Sequence, residues 1–127
     1  MIFIDASFYL SLLNPNDFNH KESIRLGKKY QDEEYVTTQM ILGEVMTVGS
    51  QRFDKALTVK FIEEILKSRT RVLLENQELI KQAFTFFKKV KSKNVSWVDC
   101  YSLTAMRKLD IKVALTFDKH LKQSLQR

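Results

Sequence analysis

The sequence predicts an α/β fold organised around a parallel sheet, and three observations predict it. The chain opens on Met1-Ile2-Phe3-Ile4, an apolar run without polar alternation, ended by Asp5 and the small residues Ala6 and Ser7. Such a run reads as a strand buried on both faces, with the carboxylate at its carboxyl end. Strand-like and helical stretches then alternate, and a strand that returns to its sheet through helices makes a right-handed crossover to a parallel neighbour. Finally, no repeat or low-complexity tract interrupts the 127 residues, so one domain spanning 1–127 without a linker is expected.

Each element has its own justification. Phe8, Leu10, Leu12 and Leu13 suggest a short helix, stopped by the turn residues Asn14-Pro15-Asn16-Asp17. A second helix is expected over 20–31, with Ile24, Leu26 and Tyr30 set among lysines and arginines. Tyr35-Val36-Thr37-Thr38 is short and β-rich and reads as the second strand. The next helix carries Met40, Ile41, Leu42, Val45, Met46 and Val48 and is expected to end near Gly49 and Ser50. Asp54 is placed to cap a further helix, in which Leu57, Phe61, Ile62, Ile65 and Leu66 fall at helical spacing. Arg71-Val72-Leu73-Leu74 is the third strand, followed by a helix over 77–90. The stripe Ile80, Ala83, Phe84, Phe87 and Val90 on that helix is core packing, not a cofactor box. A helix over 96–109 precedes the fourth strand, Val113-Ala114-Leu115-Thr116, which delivers Asp118, and a short basic helix is expected over 119–127.

Composition narrows the function classes. With 44% hydrophobic and 28% charged residues, the chain is neither disordered nor membrane-spanning. The single cysteine, Cys100, allows no intrachain disulfide, and no basic segment followed by a signal-type apolar core opens the chain, so a cytoplasmic location is expected. A formal net charge of +6 favours a polyanionic partner, RNA or DNA, over a solvated lysine-rich surface. No segment joins a long apolar face to a dense basic one, which argues against membrane binding.

Four acids occupy awkward places. Asp5 ends the first strand, where open α/β sheets place their chemistry, although Asp5 or Ser7 could equally cap the helix that follows. Glu44 has Met40, Ile41, Val45 and Val48 around it on its helix, so either a cation meets it in the fold or it reaches water at a boundary. Asp99 belongs to Ser96-Trp97-Val98-Asp99, a capping-box pattern, and also lies in the first turn of a largely apolar helix. Asp118 follows the fourth strand as Asp5 follows the first; if those strands are neighbours, the two carboxylates share one sheet edge. Like charges so gathered raise one another's proton affinity unless divalent cations neutralise them. Hard oxygen donors without a histidine or cysteine cluster select Mg²⁺ or Mn²⁺ over zinc. In a basic protein the chemistry that unites these features is metal-dependent phosphodiester hydrolysis, with Ser7 and Thr116 orienting carboxylates or bound water. The run Lys88-Lys89-Val90-Lys91-Ser92-Lys93 complements a helix C-terminus and is also a candidate phosphate contact.

With these residues in place, the chain resembles the PIN-domain ribonucleases, and among them the small VapC-type toxins of toxin-antitoxin pairs. The resemblance rests on Ile4-Asp5-Ala6-Ser7, Glu44 in a helix after the second strand, Ser96-Trp97-Val98-Asp99-Cys100, and Thr116-Phe117-Asp118-Lys119-His120-Leu121, and it covers nearly the whole length. It implies a three-layer α/β/α sandwich with strand order near 3-2-1-4-5, and Asp5, Glu44, Asp99 and Asp118 as metal-binding, catalytic acids. Thr116 looks like the family's hydroxyl residue beside the last acid, and Ser7 like its small polar residue after the first. RNA cleavage with Mg²⁺ or Mn²⁺, homodimer formation and silencing by a cognate antitoxin protein are further implications. Leu121 stands where a phenylalanine is common, and the chain stops at Arg127, which puts the fifth, edge strand in doubt.

Two other readings compete. A non-catalytic RNA-binding or adaptor module of the same fold would use Lys89, Lys91, Lys93 and Arg107 on phosphates and leave the acid pocket idle. A phosphoacceptor receiver domain would need paired acids after the first strand and an aspartate closing the third. The first strand offers only Asp5, and the third runs into Glu75-Asn76.

Overall fold

The computed structural model describes the backbone of residues 1–125 and the side chains of residues 1–122. In chain order the elements are β1 (Ile2–Ile4), α1 (Ala6–Leu13), α2 (His20–Lys29), β2 (Tyr35–Thr38), α3 (Gln39–Arg52) and α4 (Lys55–Lys67), then β3 (Arg71–Leu73), α5 (Gln77–Lys89), α6 (Trp97–Lys108), β4 (Val113–Leu115) and α7 (Lys119–Leu125). The strands form one parallel sheet in the order β3-β2-β1-β4, flanked by helices as an α/β sandwich. Among the described residues the sheet ends at β4, so the fifth strand of the expected 3-2-1-4-5 order is not there. Residues 126 and 127, the end of the expected last helix, lie outside the described residues.

The apolar opening run takes an inner position, between β2 and β4, where a strand is covered on both faces and both edges. Phe3 and its register partner Val36 are both fully buried. Ile2, Ile4, Ile41, Val45, Ile62 and Met106 join them in the main core. A smaller cluster of Leu79, Ala83, Tyr101 and Ala105 seals α5 against α6, so of the stripe expected to be core packing Ala83 is buried, whereas Ile80, Phe84 and Phe87 are exposed because α5 turns only one edge inward. Ser96, Asp54 and Asn76 cap α6, α4 and α5 with their side chains, accepting from Asp99, Leu57 and Leu79 backbone N–H groups at 3.0, 2.8 and 2.8 Å.

Two expected helix ends move. Helix α3 runs past Gly49 and Ser50 to Arg52, with Phe53 at its C-cap. Gly49 is a packing residue and not a stop: a Cβ there would stand 2.6 Å from Thr58 Oγ1 on α4 and 3.0 Å from Leu13 Cδ2 on α1. The absent side chain lets three helices meet. Helix α2 ends at Lys29, earlier than the expected 31. No helix among the described residues is long and apolar enough to cross a membrane.

Candidate active site

The site begins where β1 and β4 run out side by side. Ile4 pairs with Leu115, so the next residues of both strands, Asp5 and Thr116, emerge together at the carboxyl edge of the sheet. Asp5 donates its N–H to Leu115 O at 3.1 Å, which extends the ladder one residue further. Its backbone is extended at the N-cap position of α1, yet its side chain caps nothing. Instead Oδ2 accepts from Ser7 Oγ at 2.9 Å and from Thr116 Oγ1 at 2.7 Å. The capping expectation for Asp5 therefore holds for the backbone position only.

The two hydroxyls also tie down the chain after β4. Ser7 Oγ accepts from Phe117 N at 2.9 Å, and Thr116 Oγ1 accepts from Asp118 N at 3.0 Å. Each hydroxyl has a single proton and directs it to Asp5, while its lone pairs receive a backbone N–H. Asp118 in turn anchors the start of α7, with Oδ1 accepting from His120 N at 2.8 Å and Leu121 N at 3.3 Å. On α6 the capping box is complete: Ser96 N donates to Asp99 Oδ2 at 3.0 Å, and Asp99 N to Ser96 Oγ at 3.0 Å. The three aspartates thus follow one scheme. One oxygen of each is held by the local backbone or by a fixed hydroxyl, which leaves the other for the cleft.

That cleft, of about 290 Å³, is lined by Asp5, Ser7, Glu44, Asn94, Ser96, Asp99 and Asp118, with Leu10 and Val98 as apolar walls. All four expected acids reach it, and no lysine, arginine or histidine is among its lining residues as far as the described residues go. Asp5 and Asp99 are buried, at 5% and 6% exposure. Glu44 is exposed at the rim, so the expectation of a buried carboxylate met by a cation is replaced by the boundary alternative. Its inner flank still faces protein, and burial, followed by the charges of Asp5, Asp99 and Asp118, pushes its proton affinity above the ordinary carboxylate range. Asp99 is raised as well, chiefly by burial. The Ser96 hydrogen bonds oppose that rise, and the charges of Asp118 and Asp5 add to it.

Carboxylate, hydroxyl and amide oxygens without a thiolate or imidazole form a donor set suited to a hard divalent cation. The acids surround the cleft without closing on one another. Among the described residues no three histidine, cysteine, aspartate or glutamate side chains form a ready-made ligand cluster. Four like charges in one cleft separate unless a cation draws them together.

Asn94 is a lining residue that the sequence did not single out. It sits in the loop between α5 and α6, where only the fold decides what it faces. The basic residues distribute unevenly. Lys89 ends α5, and Lys91 and Lys93 are exposed on the same loop. Arg107 lies two turns along α6 from Asp99, roughly 12 Å by helix rise, and its guanidinium packs 4.8 Å above the Phe86 ring. It is not part of the cleft lining.

A parallel α/β sandwich with an all-acid cleft at the carboxyl ends of its central strands is a defined class of protein, one whose site can accept a hard cation. The PIN domain family model matches residues 2–124, and the chain belongs to that family. It is 30% identical over 118 residues to the 23S rRNA-specific endonuclease VapC20 of Mycobacterium tuberculosis, in strains CDC 1551 and H37Rv. The match covers 93% of this chain and 89% of the relative. The crystal structure of Mycobacterium tuberculosis VapC20, described as a Sarcin-Ricin loop cleaving toxin, superposes with a TM-score of 0.91 at 27% identity, covering 98% of this chain and 95% of that one.

Proposed function

We propose that this chain is a metal-dependent endoribonuclease, the toxin of a toxin-antitoxin pair acting in the cytoplasm. The observation that carries the proposal is the cleft lined by Asp5, Glu44, Asp99 and Asp118, with no basic side chain among its described lining residues. Gathering four carboxylates without a counter-charge is costly, and a bound cation is the ordinary compensation. Similarity to VapC20 supports the toxin assignment and makes 23S rRNA the first substrate to try. A homodimer and a cognate antitoxin protein are proposed on the same ground.

Asp5, Asp99 and Asp118 would hold the cation, Mg²⁺ or Mn²⁺, through the oxygens their anchoring bonds leave over. When bound, such an ion supplies activation of water and stabilisation of charge on the phosphate. The chain's own residues do the rest. Ser7 and Thr116 fix the Asp5 carboxylate against rotation. Glu44, at the open rim and with raised proton affinity, would take the proton of the attacking water. As water adds to phosphorus, the bond to the leaving ribose oxygen breaks, that oxygen takes up a proton from solvent, and Glu44 gives its own proton back to solvent.

Incubation of purified protein with 23S rRNA, with Mg²⁺, with Mn²⁺ and with chelator, tests the proposal. Cleavage restored by either ion, and lost in Asp118→Asn with RNA binding retained, is expected. RNA binding without cleavage under every ionic condition would favour the adaptor reading instead.

A further inference from the structure

Beside the acid cleft lies a second groove of about 480 Å³, within the size range of ligand sites, bounded by Phe87, Val90, Lys91, Lys93, Val95 and Trp97. Ser96 lines both depressions, and Asn94 of the cleft directly follows Lys93 of the groove. The two are therefore adjacent, with Ser96 between them. Their chemistry is opposite: among the described residues the cleft is lined by four acids and no base, whereas the groove is lined by two exposed lysines and no acid.

We propose that this groove is a nucleotide subsite, receiving one unstacked base of the RNA next to the bond being cut while Lys91 and Lys93 hold the adjoining phosphates. The proposal deepens the nuclease reading and rests on it for the identity of the ligand. Phe87 and Trp97 meet edge to face, with centroids 6.0 Å apart and an interplanar angle of 82°. Phe87 is 40% exposed, so its ring is open to a partner. Any base can stack on such a ring, whereas a phosphate chain alone has no use for one. Trp97 is further braced against Tyr101, centroids 6.0 Å apart, which fixes the wall of the groove to the α5–α6 core. A strand whose phosphate enters the acid cleft must leave it somewhere, and the lysine side is the direction in which its charge is neutralised. The resulting enzyme would prefer RNA with a loop or bulge near the cut, since a base held in a duplex cannot enter.

Trp97 is the chain's only tryptophan, so its emission reports occupancy of the groove directly. In Asp118→Asn protein with Mg²⁺, titration with a short single-stranded RNA should quench Trp97 saturably. The same strand carrying abasic positions should bind more weakly and quench little. Phe87→Leu, which keeps an apolar side chain in the groove, should weaken RNA binding roughly 5- to 100-fold. Lys91→Ala with Lys93→Ala, both on the surface, should flatten the dependence of log Kd on log salt by about 1.4. If the wild-type protein cleaves RNA but Trp97 emission ignores it, or abasic RNA quenches equally well, the subsite is overturned while the nuclease stands. If the wild-type protein neither binds nor cleaves RNA, the nuclease reading fails first and takes the subsite with it.

Discussion

Thr116 and Asp5 stand 111 positions apart in sequence, and the Thr116 hydroxyl donates to the Asp5 carboxylate at 2.7 Å in a buried hydrogen bond. The same hydroxyl receives the backbone N–H of Asp118. One oxygen atom therefore fixes the spacing between two acids that no local element holds together.

Replacing that oxygen should be felt twice. Thr116→Val keeps the shape but leaves the Asp118 N–H without its partner and the Asp5 carboxylate held by Ser7 alone, at a cost of roughly 1–3 kcal/mol. Loss of an orienting group should also weaken the apparent metal affinity of cleavage by about 10- to 100-fold. Urea unfolding and a Mg²⁺ titration of activity measure the two effects. Thr116→Ser should restore both.

The double role of Asp99 can be separated. Ser96→Ala removes the cap hydroxyl and should cost about 1 kcal/mol of stability, with a modest loss of cleavage. Asp99→Asn keeps an acceptor for the Ser96 N–H but removes the charge, so stability should change little while cleavage falls on the order of 100-fold or more. A collapse of folding in Asp99→Asn at undiminished specific activity of the folded fraction would reduce Asp99 to a cap.

Proton affinities in the cleft set a pH dependence of known sign. Glu44 and Asp99 hold protons more tightly in the folded protein than an ordinary carboxylate does. The folded state is therefore favoured by their protonation at low pH and loses that advantage as pH rises out of the carboxylate range through the raised values. In chelator, the thermal unfolding temperature of Glu44→Gln should exceed that of wild type at pH 7, with the gap closing towards pH 4. A divalent ion binding only the folded state should restore wild-type stability, by about 2.7 kcal/mol at 100 times its Kd.

The glycines of α3 should behave in opposite ways. Gly49→Ala drives a Cβ to 2.6 Å from Thr58 Oγ1, whose hydroxyl is already committed to Asp54 O at 2.7 Å, and should destabilise by about 1–3 kcal/mol. Gly43→Ala meets nothing within 4 Å and should stabilise by about 0.4–1 kcal/mol through the unfolded chain. Chemical denaturation midpoints of the two variants give the comparison.

The sequence by itself determined the order of strands and helices, because each apolar run and each cap is a local signal: Met1-Ile2-Phe3-Ile4 for the central strand, Ser96 and Asp99 for the start of α6. It also marked Asp5, Glu44, Asp99 and Asp118 as out of place for structure alone. What only the tertiary structure decided was adjacency. Pairing of Ile4 with Leu115 is what sets Asp5 against Thr116, and packing of α3 is what leaves Glu44 at the rim and in water on one side. Asn94 and the Phe87–Trp97 groove are set by a loop whose path depends on how α5 meets α6, and Gly49 became legible only once Thr58 stood opposite it. Periodicity records which face a residue turns inward, but a distance between residues far apart in the chain exists only after the layers have closed.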